Sequence, residues 1–368
     1  MIEKKLNKKI LLLQSIAIIL VVIGHKGGIS IFNEWFNIYS YHMPLFVFIS
    51  GYFYKNINEE NIFNFIVKKI RNLVVPYYIW AFIYLLIINI LKQFNLPTYS
   101  YSISLKTFFI EPWVTGHQLG LNVAAWFVLS LFLIQVFYIL FRKFFKVNNE
   151  WIIMILFLII GTIAVWFANK GYNKNYQLVL VRTSFLIQFY HMGCLYKEKI
   201  EGKFKINSLV YFILLFIFQF LITYRWGNNG FSAVFCNEFS KENILLPVFT
   251  SITGIMLWLK VTEILLPILG ENKYLNYIGK NTWTVMMNHQ LIFYFINLGF
   301  LFMANLGYID DFNYNSFYNN MWFSYKFNDE RFGVFYVIIA VAIPLILKKF
   351  YGKYINTKKI KSLIQSKV

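Results

Sequence analysis

Charge is scarce in this chain of 368 residues. Asp, Glu, Lys and Arg together make 14% of it, against about a quarter in an ordinary soluble domain. That shortage excludes a soluble globular protein. Cysteine is almost missing as well: Cys194 and Cys236 rule out a disulfide scaffold and offer no zinc pattern, so no metal site is expected. No segment repeats at a fixed period and no Pro- or Ser-rich linker divides the chain, so one unit over residues 1–368 is expected. A glycine-rich phosphate loop, a zincin helix and a nucleophile elbow are all absent. The apolar stretches carry almost no carboxylates, which counts against a proton-driven transporter, where an Asp or Glu relay is usual.

What the chain does have is apolar length. Hydrophobic residues make 58% and aromatic ones 21%, and the mean hydropathy is +0.55. Ten apolar runs stand out, near 10–23, 38–54, 73–91, 124–141, 152–168, 178–196, 206–224, 244–259, 282–303 and 333–347. The expected fold is therefore all-α: a polytopic membrane protein of about ten transmembrane helices in one bundle, with the lipid bilayer as its first partner. Several runs are short, so their ends are expected to extend a turn into polar flanks.

The net charge of +19 is a membrane address rather than a nucleic-acid signal. With the amino terminus in the cytoplasm, 25 of the 35 Lys and Arg residues fall on the cytoplasmic side. The positive-inside rule then places both termini there. Lys4, Lys5, Lys8 and Lys9 ahead of an apolar run look like a signal peptide, but no small-x-small cleavage site follows Ile23. The run reads as a retained first helix.

Ionisable side chains are costly in lipid and mark candidate sites. His25 closes the first run and His42 opens the second, so two imidazoles meet at one end of one hairpin; imidazole is well suited to moving protons near neutral pH. His289 lies deep in the ninth run between Asn288 and Gln290, a polar triplet that must face protein or water. His117 and His191 read as solvated or structural. Gln14 precedes His25 by eleven residues, about three helical turns or ~16 Å, so both share one helix face. Lys68, Lys69 and Arg71 form a basic cluster on the cytoplasmic side, suited to phosphate as well as to ordinary topology.

Taken in order, Val-Val-Ile-Gly-His25, Tyr-His42-Met-Pro-Leu-Phe-Val-Phe-Ile-Ser50-Gly and Lys-Lys-Ile-Arg71 ahead of Pro76-Tyr resemble acyltransferase family 3. Ala-Ala-Trp126-Phe, Phe189-Tyr-His-Met-Gly and Ile-Gly-Lys-Asn281-Thr-Trp through Asn288-His289 continue the likeness over nearly the whole chain. Within the family, the chain resembles the small single-domain fucose 4-O-acetylase-like and capsule or exopolysaccharide acetyltransferases. The resemblance implies a multi-pass protein of a bacterial inner membrane that moves an acetyl group from cytosolic acetyl-CoA to a carbohydrate hydroxyl, often on a lipid-linked glycan. Acetyl-CoA is then a substrate, and no bound cofactor is expected.

The resemblance also implies an essential histidine at His25. The family usually has arginine eleven residues before it, where this chain has Gln14, and Asn72 stands where a second arginine is usual. Catalysis is expected at His25, His42 and His289, with Gln14, Lys69 and Arg71 on the donor. Ser50, Trp126, Asn281 and Asn288 are the supporting residues, with Ser50, Asn281 and Asn288 as candidate oxyanion donors. The outer stretch 304–332, rich in Tyr, Asn and Trp, is a candidate sugar surface. The competing expectation is a non-enzymatic multi-span transporter or exporter of a glycan or its precursor.

Overall fold

The computed structural model describes residues 7–354, apart from 27–34, 101, 103, 116–118, 204–205, 228–229 and 242. His117, Lys4, Lys5 and the basic tail after residue 354 lie outside the described residues. Ten main helices follow in chain order: α1 (Lys8–Lys26), α2 (Ile38–Tyr52), α3 (Ile62–Gln93), α4 (Trp126–Phe145), α5 (Glu150–Asn169), α6 (Asn175–Leu195), α7 (Ser208–Trp226), α8 (Leu246–Leu269), α9 (Thr282–Asn305) and α10 (Gly333–Tyr354). Short helical turns link them, and the described residues hold one isolated antiparallel bridge, Ser232 with Asn237. All but α2 are long and apolar enough to cross a bilayer. The chain is an all-α, polytopic membrane protein.

Asparagine sets many of the starts. Asn37, Asn61, Asn149 and Asn207 each accept a backbone N–H in the first turn of α2, α3, α5 and α7, which satisfies donors that a helix leaves unpaired. The ends run further than hydropathy places them. The run at 73–91 belongs to a helix that begins at Ile62 and passes through a π turn at Ile70–Val74. The run at 244–259 continues to Leu269, with Lys260 paired to Glu263 one turn on. Hydropathy marks the lipid layer, whereas a helix persists into the polar interface as long as its backbone bonds are kept.

The exception, α2, has 15 residues and spans only ~22 Å. It needs no lipid-facing length because nearly all of it is buried between α1, α6 and α8. Its approach to α6 is set by two glycines. A Cβ at Gly51 would strike the Tyr190 carbonyl, and one at Gly193 the Phe48 carbonyl, so only hydrogen at both positions lets these backbones touch. That contact holds the His42 and Ser50 helix at the centre of the bundle.

Candidate functional site

Gln14, Ile18, Val21 and His25 recur at helical spacing and share one face of α1. This face is the wall of two cavities stacked along the helix. The proximal one, at the N-terminal end of α1, holds about 340 Å³ and is lined by Gln14, Ser50, Lys69 and Gln135 among apolar groups. The distal one holds about 410 Å³ and is lined by His25, His42, Trp126, Asn237, Glu238 and Trp322 among others. Four residues line both: Ile18, Phe46, Phe127 and Met286. They form an apolar collar drawn from α1, α2, α4 and α9.

The histidines stand just beyond that collar. Met286 precedes His289 by three residues on α9, a rise of ~4.5 Å, and helical side chains lean toward the N-terminus, here toward the collar. His289 Nε2 lies 3.1 Å from His25 Nδ1, and His289 Nδ1 lies 3.1 Å from the Val285 carbonyl. A carbonyl only accepts, so His289 carries its proton on Nδ1 and accepts on Nε2 from His25 Nδ1–H. For neutral imidazoles the network thereby assigns Nε2 of His25 as the proton-accepting nitrogen. His42 is fixed the same way: its Nδ1 donates to the Ile38 carbonyl at 2.7 Å, which leaves Nε2 as acceptor. Tyr39 packs edge-on to His42, and Trp322 edge-on to His25.

Two irregular segments complete the distal cavity, each held by polar side chains from elsewhere in the chain. Around 232–238, Arg182 of α6 donates to the Val234 carbonyl at 2.8 Å and stacks on Trp126, while Asn173 donates to the Cys236 carbonyl. Arg182 is only 2% exposed, and its guanidinium backs this wall. Around 321–325, Gln290 and Asn297 of α9 donate to the carbonyls of Met321 and Phe323, and Asn297 also accepts from Tyr325 N and the Tyr336 hydroxyl. These amides satisfy backbone that has no helix of its own, as non-helical chain within a bundle requires. The Tyr325 hydroxyl donates to Asp311, and burial followed by that carboxylate pushes its pKa up to about 12.

The structure gathers some of the predicted residues and disperses others. His25, His42 and Trp126 share the distal cavity, with His289 behind His25; Gln14, Ser50 and Lys69 share the proximal one. Arg71 is exposed and lines neither. Asn281 and Asn288 also line neither, since their amides donate to the carbonyls of Tyr277 and Thr284 one turn back. From the stretch 304–332 it is Trp322 that reaches the cavity, while Asp329 pairs with Arg331 and Glu330 with Lys326. His191 is structural, held by the Tyr138 hydroxyl and the Glu150 carbonyl. Gln135 and Arg182 are residues that sequence reading passed over as site members. Each is a polar group inside an apolar run, which was the available signal.

Two cavities that share one apolar collar, with paired histidines beyond it on one side and a lysine in the wall on the other, suit group transfer within a bilayer. The family model for this acyltransferase domain, acyltransferase family 3, matches residues 7–349. The chain belongs to that family and is a membrane acyltransferase. No curated protein and no solved structure matches it. Of the two functions expected from the sequence, membership supports acyl transfer over export.

Proposed function

We propose that this acyltransferase moves an acetyl group from cytosolic acetyl-CoA to a hydroxyl of a surface or lipid-linked carbohydrate, across a bacterial cell membrane, with both termini in the cytoplasm. The observation that carries the reading is the shared collar. Lys69 lines the cavity at the basic end, where a nucleotide's phosphates would arrive, and His25 and His42 line the cavity on the other side. The donor's arm runs up the α1 face from Gln14 to His25, and the acceptor enters from outside past Trp322.

The chemistry asks little beyond this. His25 Nε2 takes the proton of the acceptor hydroxyl while the oxygen bonds to the thioester carbonyl carbon. The tetrahedral intermediate then collapses, the C–S bond breaks, and the thiolate recovers the proton from the imidazolium. The Val285 carbonyl and His289 keep the imidazole in the tautomer that accepts at Nε2, and they stabilise its charged form. His42 stands across the same cavity and orients the acceptor.

Two measurements test the reading. Purified protein in nanodiscs should transfer radiolabel from acetyl-CoA to extracted lipid-linked glycan, and absence of transfer to any glycan fraction would contradict it. A cysteine at Asn315 should label from outside intact cells and one at Lys273 should not; both native cysteines are buried and add no background. Labelling of both from outside would overturn the topology.

A further inference from the structure

The wall of the proximal cavity contains a polar group that its surroundings leave half satisfied. Gln135, on α4, is 3% exposed, and its Nε2 donates to Ser50 Oγ of α2 at 2.8 Å. Its Oε1 is buried and has no hydrogen-bond partner among the described residues. Turning the amide end for end does not remove the mismatch: one end holds Ser50 and the other has no partner among the described residues, in a side chain that lines the proximal cavity. A buried amide left in that state is destabilising, and a ligand or a water that pairs with it removes the cost.

The position of the pair says what the ligand is. Ser50 lies one turn from Phe46 on α2, about 6 Å to the basic side of the collar, and Gln14 lies the same distance from Ile18 on α1. A thioester seated at the collar therefore has its next few atoms beside Ser50, Gln135 and Gln14. In a pantetheine thioester those atoms are two methylenes and then a secondary amide, which offers both an N–H and a C=O. That group complements a glutamine end in either orientation, whereas the rest of the wall there, Phe46, Ile49, Phe127 and Met286, accommodates methylenes.

We propose that Gln135, held by Ser50, is a donor-specificity residue that binds the pantetheine amide nearest the thioester. The assignment depends on the reading of the donor as an acyl-CoA. It adds that the enzyme recognises the amide-bearing arm, and not only the phosphates at the mouth.

The test uses full-length protein in nanodiscs. Gln135→Met keeps the side chain's length and removes both polar ends. It should weaken acetyl-CoA binding and raise the donor KM roughly five- to tenfold, with kcat at saturating donor and the acceptor KM unchanged. An acetyl-CoA analogue whose proximal amide is replaced by methylenes should bind wild type and variant equally. Should Gln135→Met fail to insert, Ser50→Ala leaves Gln135 in place but unanchored, and should weaken acetyl-CoA about two- to threefold and the analogue not at all. Equal acetyl-CoA affinity in wild type and variant, or the same loss for the analogue, would overturn the assignment and leave Gln135 a packing or water-binding residue. Wild-type protein that binds no acetyl-CoA would instead overturn the donor reading itself, and this assignment with it.

Discussion

Nδ1 of His25 lies 3.1 Å from Nε2 of His289, although 264 positions separate them in the chain. With the Val285 carbonyl behind it, His289 decides which nitrogen of His25 carries the proton. That relation makes His289 a positioning residue, acting through its neighbour. His289→Ala should lower kcat by roughly one to two orders of magnitude, less than loss of the base, because the tautomer is then uncontrolled. His289→Gln, which can still accept from His25 Nδ1–H, should recover part of the rate. Steady-state kinetics on both variants at matched membrane abundance check this. Equal loss in both would remove the tautomer role.

The basic pair assigned to the donor should divide. Lys69 lines the proximal cavity and Arg71 is exposed outside it. Lys69→Gln should weaken acetyl-CoA binding by about ten- to a hundredfold, the value of a hydrogen bond to a charged group. Arg71→Gln should change it little, as surface charge substitutions usually do. Calorimetric titration of acetyl-CoA into each variant measures the split.

The collar should govern which acyl groups pass. Met286 is its unbranched, adaptable member, and Met286→Ala should widen the passage and raise transfer of propionyl and butyryl groups relative to acetyl. Met286→Trp should close it and reduce acetyl transfer while leaving acetyl-CoA binding in place. Competition assays with mixed acyl-CoA donors report both effects.

The helices and the α1 site face were legible because the physics behind them is local. Apolar runs mark spans, and the eleven-residue spacing from Gln14 to His25 puts both on one face without any knowledge of neighbours. The length of α3 was not legible, since Lys68, Lys69 and Arg71 lower hydropathy without ending a helix. Nor could spacing show that Asn281 and Asn288 donate to carbonyls one turn back and line neither cavity. The pairing of His25 with His289 depends on how α1 and α9 pack. The walls at 232–238 and 321–325 depend on Arg182, Gln290 and Asn297 reaching segments far along the chain. Polar residues in apolar runs announced that such partners exist, though not which ones.

The central claim is that His25 performs the proton transfer on the acceptor hydroxyl, and its most direct test is acetyl transfer by His25→Ala. The substitution removes a half-buried side chain that lines a cavity at the end of α1, and His289 keeps its bond to the Val285 carbonyl, so the protein should remain in the membrane at normal abundance. Loss of a general base costs on the order of a hundred- to ten-thousandfold in rate. Mass spectrometry of the surface glycan, beside an immunoblot of the membrane fraction, should show acetylation abolished with the protein retained. Full acetylation by a stably inserted His25→Ala protein would contradict the account.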